Sequence, residues 1–298
     1  NYNVKATLFV DASYLLALNK RKREFPILEE DYKMITDQLR ELKLKGHSIQ
    51  LHIHPQWIYS YFDGTKWIMD FEHYKLSDLD RMIAIQHFKE TKELLESIVK
   101  DKVIAFRAGG FSLQSFDGYY DLLVENNIKY DSSVVPGTVF KSIHQWYDYR
   151  KAPFIKYKFE SDITQPSDRG KVTEVPISAF AYNPIYYSYL RKKIESNNKF
   201  EVYSDREGIG KIYPQYIRYY YLIRQLFKKR KIVTASFDGF LSFLLPQVFK
   251  KFKKKNKNGI FLIIGHPKLL SNTSLKYIEE FIIQTIDYNR YITINNID

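Results

Sequence analysis

Three of the chain's seven histidines lie close together at the end of one alternating, strand-like run. They are His47, His52 and His54, and the run is closed by Pro55 and Trp57. Side chains two residues apart on a strand point to the same side of the sheet, so His52 and His54 can converge on one ion or one substrate atom. Isolated histidines are more often ordinary core or surface residues, but the strand-end position favours a functional cluster.

Strands and helices alternate along most of the chain. The pattern predicts strands at 4–10, 48–53, 103–106, 128–130, 172–177 and 260–264, and helices at 28–42, 83–99, 118–125 and 275–286. Repeated βα units predict an α/β fold with a parallel sheet or a barrel. Between about 178 and 230 the composition shifts to Tyr, Lys and Asn, which indicates an insertion carried by a single domain spanning 1–298.

Polar side chains that could take part in chemistry follow or end five of the predicted strands, and Glu174 lies within a sixth. They are Asp11, His52, His54, Arg107, Asp131, Glu174 and His266. Any one of them alone is equally well read as a cap, a turn residue or an ion-pair partner. In a βα barrel the residues after each strand collect on one face, so their joint position favours a site.

Composition excludes some classes of site. The chain has no cysteine, so any metal must be bound by His, carboxylate or amide ligands. The net charge of +12 is concentrated at 20–23, 228–231 and 250–257. No nucleic-acid motif accompanies these clusters, so we expect no nucleic-acid partner, and we interpret them as a solvated face or as a peripheral contact with an anionic membrane surface.

No run of eighteen apolar residues and no signal-peptide pattern is visible in the sequence. We therefore expect a cytoplasmic protein that can associate with a membrane surface. The chain begins with Asn1 rather than Met and soon enters a strand, which leaves open an upstream targeting segment or first strand.

Six short motifs also occur in an order typical of a known family. They are Lys5 to Val10, Gly46-His47 leading into His52, Phe106 to Phe111, Tyr130 to Ser133, Glu174 to Ser178, and Gly265 to Lys268. In these motifs the chain resembles the polysaccharide deacetylase superfamily, and most closely the branch found in surface-polysaccharide gene clusters. The resemblance implies a distorted (β/α) barrel that removes N- or O-linked acetyl groups from a bacterial surface glycan or its precursor by divalent-metal-dependent hydrolysis.

The resemblance also implies residue roles. His52 matches the first metal histidine, Arg107 the arginine that orients the catalytic base, and His266 the general acid. The family's second metal histidine is replaced by Gln56, for which His54 is a candidate substitute. The expected metal is zinc, with cobalt, nickel or manganese as alternatives.

The family's paired aspartates would precede Asn1. Asp11 is then the remaining candidate for the catalytic carboxylate, and a strand-end turn residue is the alternative interpretation of it.

The expected partner is an acetylated oligo- or polysaccharide. The predicted substrate-binding residues are Trp57, Asp131, Arg150 and Glu174, and Trp67 and Trp146 are further candidates for stacking on sugar rings. Ordinary packing is the alternative for each tryptophan. A competing hypothesis is a deacetylase-like barrel that has lost its metal chemistry and acts as a glycan-binding or assembly component, as Gln56 suggests.

Overall fold

The computed structural model describes residues 2–114, 118–198, 200 and 230–297. They form two compact units, one comprising Asn1–Val134, Thr138–Pro176 and Tyr291–Asp298, and the other Val135–Gly137 and Ile177–Arg290. The expectation of one domain over 1–298 stays a prediction. Of the predicted insertion at about 178–230, residues 199 and 201–229 lie outside the described residues.

The first unit contains ten described strands. They are β1 (Thr7–Asp11), β2 (Ser48–Ile53), β3 (Tyr61–Phe62), β4 (Trp67–Ile68), β5 (Ala105–Ala108), β6 (Tyr130–Asp131), β7 (Val139–Lys141), β8 (Trp146–Asp148), β9 (Tyr157–Phe159) and β10 (Val172–Glu174). Six of them form one sheet in the order β1-β2-β5-β6-β10-β9, in which only β9 runs antiparallel to its neighbour. The α/β class and the parallel sheet are confirmed. The strand order of the described residues does not show the closure that a barrel requires.

The register of this sheet aligns the predicted site residues. Asp11 is paired with His52 across β1 and β2, and His52 with Arg107 across β2 and β5. Asp131 of β6 is paired with Glu174 of β10. Because these strands are parallel, all five residues lie toward the same carboxyl-terminal edge of the sheet.

Four described helices belong to the first unit. They are α1 (Ala12–Arg21), α2 (Pro26–Leu44), α3 (Arg81–Val99) and α4 (Tyr119–Glu125). α2 begins with a proline, which suits the first helical position, and is followed by Gly46 in the left-handed conformation at φ +86°. Phe88 of α3 packs on Phe106 of β5 with ring centroids 5.1 Å apart, which joins α3 to the buried face of the sheet.

The second unit contains β11 (Ala179–Tyr182) and β12 (Lys231–Thr234), which pair antiparallel, and the helices α5 (Pro184–Asn197), α6 (Leu245–Lys255) and α7 (Asn272–Thr285). Its core includes Tyr187, Leu245, Val248 and Phe281. The strand predicted at 260–264 is wrong, because only Ile264 forms a β-bridge there, with Ser236. Within the described residues, no helix is both long and apolar enough to cross a lipid bilayer.

Candidate functional site

His52 and His54 meet at the end of β2. Their Nε2 atoms are 3.0 Å apart, and their rings lie edge to face. The Nδ1 atom of His52 is 2.7 Å from the backbone oxygen of Arg107. A carbonyl oxygen can only accept, so Nδ1 of His52 carries the proton and Nε2 is the acceptor nitrogen of that ring. A backbone carbonyl that fixes the tautomer in this way is a common support for metal-binding histidines.

Gln56 lies in the turn that follows β2, next to this histidine pair. Its side chain is buried, and its Nε2 is 3.5 Å from Nδ1 of His54. Its Oε1 atom has no hydrogen-bond donor among the described residues. Leaving a buried amide oxygen without a partner costs about 1–3 kcal/mol, which is offset when that oxygen binds a ligand.

Asp11 lies on the neighbouring strand, at the start of α1. One carboxylate oxygen accepts a bond from the backbone nitrogen of Tyr14 at 3.3 Å, and the other accepts from Nε1 of Trp57 at 2.9 Å. Burial raises the pKa of Asp11, and the nearby His54 opposes that rise. Asp11 is therefore a helix cap as well as a carboxylate whose proton affinity is raised beside the histidine pair.

Arg107 is held as a fixed positive charge. Its Nε donates to the backbone oxygen of Ser132 at 2.8 Å, and Nη2 donates to the Ser132 hydroxyl at 2.9 Å. The guanidinium lies 4.1 Å from the ring centroid of Phe9. Burial lowers the pKa of Arg107 to about 10, while Glu174 and Asp131 act in the opposite direction. Arg107 therefore remains charged at neutral pH.

Asp131 and Glu174 form a buried acid pair with no exposed surface. Asp131 accepts bonds from the Tyr119 hydroxyl and from the backbone nitrogen of Ser133. Burial raises the pKa of both carboxyl groups, and the charge of Asp131 raises that of Glu174 further. A substrate could reach them only by displacing the residues that cover them, and their predicted role in substrate binding is untested.

Most of the remaining predicted substrate-binding residues already contact other side chains of the protein. Arg150 is exposed and forms a two-pronged pair with Asp148, which lowers the pKa of Asp148 to about 2. Trp57 packs against Tyr14 at 4.6 Å and against Trp67 at 5.1 Å between ring centroids. Packing thus accounts for Trp57 and Trp67, although Trp57 also lines an open groove. Trp146 lies in β8 and is half-buried.

This groove of about 450 Å³ is a feature that the sequence did not reveal. Leu16 of α1 and Ile83 of α3 contribute apolar wall, and Ser13 and His87 also line it. The Oγ atom of Ser13 and Nε2 of His87 are 2.8 Å apart. The two residues are 74 positions apart in the chain, so no local pattern could have paired them.

His266 lies in the second unit, where Asp238 orients it. The imidazole Nδ1 is 2.7 Å from one carboxylate oxygen of Asp238, and the backbone nitrogen of His266 donates to the other at 2.8 Å. A carboxylate acceptor places the ring proton on Nδ1 and directs Nε2 outward for proton transfer. Sequence reasoning missed Asp238; its position four residues after β12 is the signal that could have found it. The predicted meeting of His266 with His52 and Arg107 stays a prediction.

The metal-ligand atoms available at the end of β2 determine which metal could bind. Among the described ranges, no three His, Asp or Glu residues come together as a metal site. The available ligand atoms are two imidazole nitrogens, from His52 and His54, and the amide oxygen of Gln56, which has no hydrogen-bond partner among the described residues. Imidazole suits zinc, nickel and related ions, and an amide oxygen is a weaker ligand, so this set fits a divalent ion with two strong ligands and one weak one.

Comparison with known proteins found similar solved structures. No family model matches the chain, and no curated protein matches it. It is similar to a "putative polysaccharide deacetylase" from Mycobacterium smegmatis, with 15% identity over 97% of this chain and 68% of that one, and a TM-score of 0.46.

It is also similar to two branching enzymes of the GH57 type. For that of Thermococcus kodakaraensis the identity is 11%, over 95% of this chain and 55% of that one, with a TM-score of 0.44. For that of Pyrococcus horikoshii the identity is 10%, over 97% and 52%, with a TM-score of 0.46. The chain spans about half the length of these two enzymes.

Proposed function

We propose that the chain is a hydrolase that removes acetyl groups from a glycan with the help of a divalent ion bound at His52 and His54. The observation that carries the proposal is the convergence of the two Nε2 atoms, 3.0 Å apart, at the carboxyl edge of a parallel sheet. The bond from His52 to the Arg107 carbonyl adds to it, since it turns the acceptor nitrogen of His52 toward His54.

His52, His54 and the Oε1 atom of Gln56 would hold the ion, with zinc the expected metal and cobalt, nickel or manganese as alternatives. When bound, such an ion polarises an acetyl carbonyl and acidifies a bound water. Because Gln56 offers a neutral amide oxygen, we expect weaker binding than at a site with three imidazoles.

Asp11 is the proposed base for the attacking water. Burial raises its pKa, which increases its tendency to take a proton, and the Trp57 indole holds one of its oxygens at 2.9 Å. Arg107 is the proposed positioning residue that orients the base, on the basis of the family resemblance. Its guanidinium is anchored on Ser132, and its backbone carbonyl orients His52.

His266 is the proposed general acid, on the strength of the family resemblance. Its bond to Asp238 is the arrangement that such an acid needs, because the carboxylate stabilises the protonated ring and leaves Nε2 for the departing group. The proposed substrate is an acetylated bacterial surface glycan or its precursor.

The test is the release of acetate from acetylated oligosaccharides, measured with added zinc and after chelation. We expect zinc-dependent release that is lost in His52→Ala and in His266→Ala. His144→Ala is the matched control, because His144 is a half-buried histidine outside the β2 cluster.

The second candidate function is a glycan-binding module without metal chemistry. The observation that favours it is Gln56, together with the lack of three His, Asp or Glu ligands in one cluster of the described residues. A protein that binds the glycan but releases no acetate, with or without zinc, would establish this alternative and reject the hydrolase.

A further inference from the structure

A run of lysines with no acidic residue nearby in the sequence lies in and beside α6 of the second unit. Between Asp238 and Glu279 the sequence contains eight lysines and neither Asp nor Glu. Six of these lysines lie in α6 or just after it, at 250, 251, 253, 254, 255 and 257. All except Lys253 are exposed, while Leu245, Val248 and Phe252 on the opposite side of α6 are buried in the core.

Helix α5 presents large apolar and aromatic side chains to solvent. Ile185, Tyr186 and Tyr189 are 67%, 50% and 61% exposed, which is unusual for three such residues within one helical turn and a half. Positions 185, 189 and 193 follow at helical spacing, so the exposed stripe continues into Lys193. The one acid of this helix, Glu195, is paired with Arg191 at 3.0 Å.

Tyr182 connects the two helices. The Nζ atom of Lys251 lies 4.0 Å from the centroid of the Tyr182 ring. Tyr182 ends β11 two residues before α5 begins, so Lys251 of α6 lies near the start of α5. The lysines of α6 and the exposed stripe of α5 are together called here the basic-aromatic surface.

We infer that the basic-aromatic surface binds the headgroup region of an anionic lipid membrane. The lysines provide attraction to anionic headgroups, and tyrosine and isoleucine side chains provide the apolar contact that an interfacial helix inserts at the headgroup level. A soluble polyanion would require the lysines and gain little from Ile185 and Tyr189. This inference is independent of the proposed hydrolysis.

The experiment is co-sedimentation of the 298-residue chain with vesicles of phosphatidylcholine, with and without phosphatidylglycerol. Dextran sulfate serves as the soluble polyanion. The first variant combines Lys250→Glu, Lys254→Glu and Lys255→Glu. Its matched control combines Lys102→Glu, Lys129→Glu and Lys171→Glu, which changes the net charge equally at exposed lysines of the first unit.

We expect binding to the vesicles that contain phosphatidylglycerol and not to those of phosphatidylcholine alone. In the α6 variant the partition coefficient should decrease at least about 100-fold, from about 1 kcal/mol for each of three lysines. The control variant should bind within about threefold of the wild type, because its lysines lie outside the surface. A second variant, Ile185→Ser with Tyr186→Ser and Tyr189→Ser, should bind vesicles less well and dextran sulfate equally well.

Three results would overturn the inference. One is binding to dextran sulfate without binding to anionic vesicles, which would identify a soluble polyanion as the partner. Another is an equal loss in the α6 variant and in the control, which would reduce the effect to net charge. The third is vesicle binding that the serine substitutions leave unchanged.

Discussion

His87 provides a sharp test of how the first unit is held together. It lies in α3, is only 6% exposed, and its Nε2 is 2.8 Å from the hydroxyl of Ser13 in the first turn of α1. Burial lowers the pKa of His87 from 6.5 to about 4, with Lys20 acting in the same direction and Glu90 against it. The bond therefore links α3 to the helix that Asp11 caps, and it does so with a neutral imidazole.

The sign of the pH dependence follows from this lowered pKa. Between pH 6.5 and about 4 the unfolded chain binds a proton at His87 that the folded chain excludes. The stabilisation is fully present above pH 6.5 and is lost as the pH falls toward 4. At about 1.4 kcal/mol per pH unit, the loss from this one group amounts to about 3 kcal/mol.

The assay is urea unfolding of the wild type and of His87→Gln at a series of pH values from about 8 to about 4.5. Glutamine can still bond to the Ser13 hydroxyl but does not titrate, so the variant should lose about 2 to 3 kcal/mol less stability over this range. His144→Gln, which replaces a half-buried histidine, should follow the wild-type curve. Parallel curves for the wild type and His87→Gln would refute the reasoning.

Three further substitutions test the candidate site. Gly109→Ala would bring a methyl group to 2.6 Å from the backbone oxygen of Ile53 and to 2.8 Å from Nδ1 of His54. We therefore expect the end of β2 to shift and zinc affinity to fall, and an unchanged affinity in calorimetry would contradict this expectation. Glu174→Gln removes one acid from the pair with Asp131. Because the pKa of Glu174 is raised above its ordinary value of 4.5, the wild type should lose stability as the pH rises from 4.5 toward the raised pKa, and the variant should lose less when urea unfolding is measured over a pH series that starts near 4.5. Gln56→His supplies a third imidazole and should tighten zinc binding; weaker binding would place Gln56 outside the ligand set.

Local patterns predicted much of the first unit. The alternation at 48–53 gave the strand that carries His52, and the helical spacing of Leu28 and Leu39 gave the core of α2, because both patterns depend only on which side chains must be buried. The parallel sheet followed from the repetition of these units. The helix α1 was missed, since it begins directly at the end of β1 with no intervening turn residues.

The features that could not be predicted from the sequence depend on contacts between residues far apart in the chain. The apolar run at 260–264 suits a strand, but only Ile264 has a bridge partner in the described residues of that segment, so the segment stays irregular. Asp238 lies 28 positions from the histidine that it orients. The burial of Asp131 and Glu174 likewise depends on neighbours such as Tyr119 that only the folded chain brings together.

Zinc titration of the chain by calorimetry is the most direct test of the central claim that His52 and His54 form one ion-binding pair. We expect one bound equivalent in the wild type and in His144→Ala, and loss of binding in His52→Ala and in His54→Ala. A wild type that binds no divalent ion, or a His52→Ala variant that binds zinc as tightly as the wild type, would contradict it.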